Sequence, residues 1–150
     1  MANEPLFDDL YREVILDHSR NPRNVGTMTA PDRTAEGLNP VCGDAVRLDL
    51  ALDSDQICGL MFDGQGCAIS QASASLLTER LHGATLGEAR GVCQAMRAML
   101  VEGADPDAVL GDLEALHGVA KFPVRVKCAM LAWKLLEGVL EQPTPSGAKA

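Results

Sequence analysis

The residues from Ala45 to Leu52 constrain the fold more than any other stretch. Val46, Leu48, Leu50 and Leu52 alternate with Ala45, Arg47, Asp49 and Ala51, so an extended strand here has one apolar face. Asp53-Ser54-Asp55 supplies a turn, and Ile57 to Phe62 returns as a second strand. The pair reads as an antiparallel hairpin whose apolar face has to be covered. At 47% hydrophobic but only 3% aromatic, the chain must build that cover from Leu, Val, Ile, Ala and Met. Its 150 residues suffice for one core. One domain is expected over residues 1–142, with a disordered tail at 143–150.

The cover is helical. Leu6, Leu10 and Val14, widened by Tyr11 and Ile15, predict a helix from Pro5 to His18, ended by the residues before Pro22. The following twenty residues, rich in Pro, Gly, Asn and Thr, read as an irregular linker; Asn21-Pro22-Arg23-Asn24 is either a recognition loop or a rigid exit from the helix, and spacing favours the exit. Ala68 to Leu81 reads as an apolar helix stopped by Gly83. Thr85 and Glu88 have capping-box spacing and open a helix to about Glu102, with Ala89, Val92, Met96 and Leu100 on one face. Asp105-Pro106 caps a short helix carrying Val109, Leu113 and Leu116, broken at Gly118. Phe122-Pro123 opens the last helix, with Val124, Cys128, Leu131 and Leu135 inward, Trp133 to one side, and an end before Pro143. The methionines read as core filler, and His82 and His117 as solvated.

Composition removes several function classes. Thirteen basic against 21 acidic residues give a net charge of −8, which argues against nucleic acid as the partner. No apolar run approaches the ~20 residues of a membrane span. Met-Ala-Asn-Glu-Pro lacks the features of a signal peptide, so a cytoplasmic protein is expected. The five cysteines are odd in number and widely spaced, which argues against a disulfide framework. Cys58, inside the second strand, and Cys93, beside a helical stripe, read as packing residues.

The other three sit differently. Asn39-Pro40-Val41-Cys42-Gly43-Asp44 puts a thiol and a carboxylate two residues apart on a turn leading into the first strand, where Gly43 lets both converge. A soft and a hard ligand side by side suggest half of a metal site. A surface cysteine beside a turn aspartate is the alternative, and these six residues do not separate the two. Cys67 follows Asp63-Gly64-Gln65-Gly66 and opens a helix, where unpaired backbone N–H groups and the helix dipole lower a thiol pKa. Cys128 points from the first turns of the last helix towards the body of the domain. Arg125 and Lys127 flank it and would favour its thiolate.

Spacing alone does not bring these residues together, but a family resemblance does. Leu10-Tyr11-Arg12, Asp17-His18, Pro22-Arg23-Asn24, Asn39 to Asp44, Gly64 to Ser75 and Phe122 to Ala129 together resemble the IscU/NifU N-terminal domain family of iron–sulfur cluster assembly. Lys127, where IscU-type scaffolds usually carry His, and the longer segment between Cys67 and Cys128 resemble its SufU-type branch. The resemblance implies an α+β fold: a small antiparallel three-stranded sheet packed against helices, with a metal site at one end. It implies Cys42, Asp44, Cys67 and Cys128 as ligands of Zn²⁺, or alternatively of iron or a [2Fe–2S] cluster. It further implies a sulfurtransferase-type role: persulfide sulfur taken from a pyridoxal-phosphate cysteine desulfurase (SufS-type) and passed to a downstream iron–sulfur scaffold complex. The competing readings are a scaffold for [2Fe–2S] assembly and a purely structural zinc module. Cys42, beside the mobile-backbone Gly43, is the expected sulfur acceptor, with Arg125 and Lys127 in support.

Overall fold

A computed structural model describes residues 4–142, with side chains from Tyr11 onward. The expected tail at 143–150 and the stripe positions Leu6 and Leu10 therefore lie outside the described residues and side chains. Helix α1 (Glu4–Arg20) leads into strands β1 (Arg33–Asn39), β2 (Asp44–Asp53) and β3 (Gln56–Gln65). Helices α2 (Ala68–Leu81) and α3 (Leu86–Leu100) follow, then a 3₁₀ segment (Ala108–Lys121) and helix α4 (Pro123–Glu141). The sheet is antiparallel in the order β1-β2-β3, so the expected α+β class with three strands is what forms.

Strand β1 runs through the stretch expected to be irregular. Its inward positions are Ala35 and Gly37, too small to give an apolar alternation. They are small because α4 lies against them: a Cβ on Gly37 would stand 2.8 Å from Leu135 Cδ2. Cys58 is also not where its strand pattern put it. Ala51 pairs with Gly59 but Leu52 pairs with Ile57, which leaves Cys58 as the extra residue of a β-bulge. The bulge lets Ile57 face inward together with Leu60 and Phe62, and it turns Cys58 out to solvent. Cys93 is buried, as expected.

Helix α2 is the centre of the helical layer, in contact with α1, α4, β3 and the 3₁₀ segment. A helix surrounded on all sides must be apolar or small-sided all round, and Ala72, Ser73, Ala74, Ser75, Leu76 and Leu77 are all buried. Its serines are not orphaned. Ser73 Oγ donates to the Ala129 carbonyl (2.6 Å) and accepts from Trp133 Nε1 (3.0 Å). Trp133 is thereby fully inside the core rather than to one side of it, since its one polar atom is satisfied there. Val124, by contrast, is exposed. The helical break in the 3₁₀ segment falls at Gly111, which has φ 56°, and the turns continue through Gly118. The Thr85–Glu88 capping box forms in both directions.

Candidate metal centre

Three elements deliver the candidate ligands to one end of the sheet. The turn between β1 and β2 is closed by Cys42 N–H donating to the Asn39 carbonyl (3.3 Å), and Gly43 follows with φ 71°. A left-handed residue there reverses the chain tightly enough for Cys42 and Asp44 to share one side. Gly66 lets the loop after β3 pass over this point, because a Cβ there would collide with Asp44 Oδ1 and Ser70 Oγ. Cys67 is the N-cap of α2, its Sγ accepting from Ser70 N–H (3.5 Å). Cys128, in the second turn of α4, is 1% exposed.

Ligand atoms of Cys42, Asp44 and Cys128 all lie within 4.8 Å of one another. Cys128 Sγ donates to Cys42 Sγ at 2.8 Å. Cys67 falls outside that trio because its sulfur is turned to the Ser70 amide, yet it stays close enough to contribute to the Cys128 environment. Cys42, Asp44 and Cys128 thus converge directly, and Cys67 adjoins them at the start of α2. Cys42 and Cys67 are half-buried and Cys128 is closed off.

The electrostatics are uneven across the site. Burial pushes the Cys128 thiol up, and hydrogen bonds with Cys42, Asp44 and Cys67 push it further. Burial would also raise Asp44, but the Cys67 amide, the Cys128 thiol, Asn39 and the Ser70 hydroxyl outweigh it and hold the carboxyl below its ordinary range. Asp44 is therefore ionised while 1% exposed. Arg125 is exposed and faces the thiols: Cys67 first, then Cys128 and Cys42, hold its guanidinium above the ordinary arginine range despite slight desolvation. Lys127 is exposed one residue before Cys128. Beside Cys67 and Arg125 runs a groove of about 590 Å³, floored by Ile15, Ile69 and Val119 and edged by Arg12, Lys121 and Arg125.

Two supporting side chains escape a reading by motif. Asn39 and Ser70 are both nearly fully buried and both donate to Asp44, at 3.1 Å each. Their place inside the segments Asn39 to Asp44 and Gly64 to Ser75 is the signal the chain offers; an amide ending a strand and a hydroxyl one turn after a cysteine are by themselves patterns shared by countless structural residues.

A small α+β domain with thiols and one ionised carboxylate gathered at the end of a three-stranded sheet is a protein class with known members. The NifU-like N terminal domain model matches residues 10–129, and the chain belongs to that family. The zinc-dependent sulfurtransferase SufU of Bacillus subtilis is 44% identical over 132 residues, covering 87% of this chain and 89% of that protein. The iron–sulfur cluster assembly scaffold protein IscU of Streptococcus pyogenes is 38% identical, covering 91% and 86%. Among solved structures, a candidate iron–sulfur cluster assembly scaffold protein for the SUF system of Fervidobacterium islandicum superposes with a TM-score of 0.82 at 38% identity, covering 86% of this chain and 95% of that one.

Proposed function

We propose that this protein is a zinc-dependent sulfur acceptor of iron–sulfur cluster biogenesis. The carrying observation is the convergence of Cys42, Asp44 and Cys128 within 4.8 Å, with Cys67 at the adjoining helix start. The donor set fits a thiophilic divalent cation: three sulfurs and an already ionised carboxylate, the composition of a tetrahedral zinc site. Cys42, Asp44, Cys67 and Cys128 would hold it, Cys67 by turning its sulfur away from Ser70. When bound, zinc keeps thiols deprotonated at neutral pH without redox chemistry of its own. The similarity to SufU supports zinc, and Lys127 in place of histidine favours sulfur transfer over cluster scaffolding.

Cys42 is the acceptor in this reading. It is half-buried on a turn next to a glycine, whereas Cys128 is closed off and Cys67 is anchored at α2. Its thiolate attacks the outer sulfur of a persulfide on a pyridoxal-phosphate cysteine desulfurase. The donor's S–S bond breaks, its cysteine leaves as thiolate, and Cys42 carries the new persulfide. Arg125 steadies the departing negative charge, and the cation-edged groove receives the partner. A downstream iron–sulfur scaffold complex takes the sulfur on. Alkylation after incubation with desulfurase and cysteine, followed by peptide mass spectrometry, tests this assignment. A persulfide on Cys42 is expected; one on Cys67 or Cys128 with Cys42 unmodified rejects it. A coloured protein with stoichiometric iron and acid-labile sulfide after anaerobic purification establishes the scaffold alternative instead.

A further inference from the structure

Asn39 ends β1, pairs in register with Asp44, and is 7% exposed. Its carboxamide nitrogen has two protons and two anionic or polarisable acceptors. Nδ2 lies 3.1 Å from Asp44 Oδ2 and 3.6 Å from Cys128 Sγ. The reversed amide would set a carbonyl oxygen against both acceptors, so the partners fix its orientation. The bridge spans two of the three converging groups from elements far apart in the chain.

The lone pairs of Asp44 show what the bridge does. Oδ1 receives Cys67 N–H (3.0 Å) and the Ser70 hydroxyl (3.1 Å), while Oδ2 receives Asn39. A carboxylate offers roughly four acceptor positions; the Cys128 thiol also hydrogen-bonds this carboxyl, so once that thiol is deprotonated one position is left, on Oδ2. We propose that Asn39 is a positioning residue of the cation site, holding Asp44 as a one-oxygen donor while hydrogen-bonding the Cys128 sulfur from the same nitrogen. This rests on the cation-site reading above. Partners of this kind orient ligands and tune their basicity. Each N–H donated to a thiolate also withdraws negative charge from sulfur, which matters where three thiolates and a carboxylate crowd around one dication.

The test uses the full chain, prepared anaerobically, as wild type, Asn39→Ala, Asn39→Thr and, as a control remote from the site, Cys58→Ser. Competition with a chromogenic chelator reads zinc affinity. Asn39→Ala is expected to bind zinc about 10–100-fold more weakly, with Asn39→Thr, whose hydroxyl supplies a single donor, in between. Cobalt(II) supplies a readout that general loosening of the fold does not move. Removing the N–H from Cys128 shifts the sulfur-to-cobalt charge-transfer band to lower energy, and Cys58→Ser leaves it in place. Zinc affinity of Asn39→Ala within about twofold of wild type, with an unshifted cobalt band, overturns the inference. Should circular dichroism show Asn39→Ala unfolded without metal, Asn39→Thr decides, and wild-type affinity there overturns it as well. A wild-type chain that takes up neither ion overturns the cation site itself, and Asn39's role with it.

Discussion

Ser70 and Ser75, both buried on α2, are hubs of two polar clusters that differ in one respect. Around Ser75 every group closes on another: His18 Nδ1 at 2.7 Å, the Arg23 amide donating at 2.9 Å, and Thr78 Oγ1 donating to the Ser75 carbonyl at 2.8 Å. Asn24 completes it through Thr78, and Arg23 pairs with Asp17 at 2.7 Å. Around Ser70 the hydrogen bonds run into Asp44, where the Cys128 thiol adds a proton that a cation would displace, while the thiols of Cys42 and Cys128 converge on one another. A closed polar cluster ties α1 and its following loop to α2; an open one leaves electron pairs for something else. Counting unfilled acceptors thus separates a structural cluster from a site better than counting polar residues.

The strongest way to sharpen that contrast is to remove one group from each cluster. Cys128→Ser or Asp44→Ala is expected to reduce zinc from about one per chain to a trace, read by metal analysis, with the metal-free fold retained. Ser75→Ala should leave zinc content unchanged but cost about 1–3 kcal/mol of stability in denaturant unfolding, because His18 and the Arg23 amide lose their partner. Zinc loss in Ser75→Ala, or none in Cys128→Ser, would erase the distinction. Next in size, Cys42→Ala is expected to keep part of its metal yet form no persulfide in the alkylation assay.

The closed cluster also has a pH signature. Burial lowers the His18 pKa, helped by Arg23 and opposed by Glu79, Asp17 and Asp112. The folded state therefore binds its proton more weakly than the unfolded state. The contribution of neutral His18 is complete above the ordinary histidine value of about 6.5 and is lost as pH falls through the lowered folded value. Thermal unfolding of the metal-free chain between pH 7 and 5 should show this decline, and His18→Gln should flatten it. The remaining cysteines affect stability alone. Cys58→Ser, at the exposed bulge, should change stability by less than about 0.5 kcal/mol. Cys93→Ser, where burial pushes the thiol up to about 12, should cost about 1–3 kcal/mol without loss of zinc.

Much of this was legible because periodicity and capping report local forces. The β2 alternation, the Thr85–Glu88 box and the proline start of α4 each predict the element that forms. What was not legible depends on partners far along the chain. β1 has no apolar stripe because α4 takes that space, and Cys58 is exposed because a bulge resets the face of β3. Asp49, on the nominally polar side of β2, is fully buried, since Thr34, the Met28 amide and Arg47 cover it. At the site, the positions of Cys42, Asp44 and Cys67 follow from turns and a helix start. That Cys128 meets them needs the tertiary fold or a family resemblance, and Asn39's second partner needs coordinates.

The pairing of β1 with α4 carries a consequence for biosynthesis. Arg33 Nη1 donates to the Val139 and Leu140 carbonyls (2.9 and 3.2 Å), and the Gln142 side chain donates to the Thr34 carbonyl (3.0 Å). These bonds lock the first strand to the last described helix, the element that brings Cys128. In a nascent chain Cys42, Asp44 and Cys67 are made before Cys128. Docking of α4 then completes the sheet's cover and brings Cys128 to Cys42 and Asp44 in one step. The site is thereby completed only at the last step of folding, and a chain stalled before α4 presents Cys42 and Cys67 without Cys128.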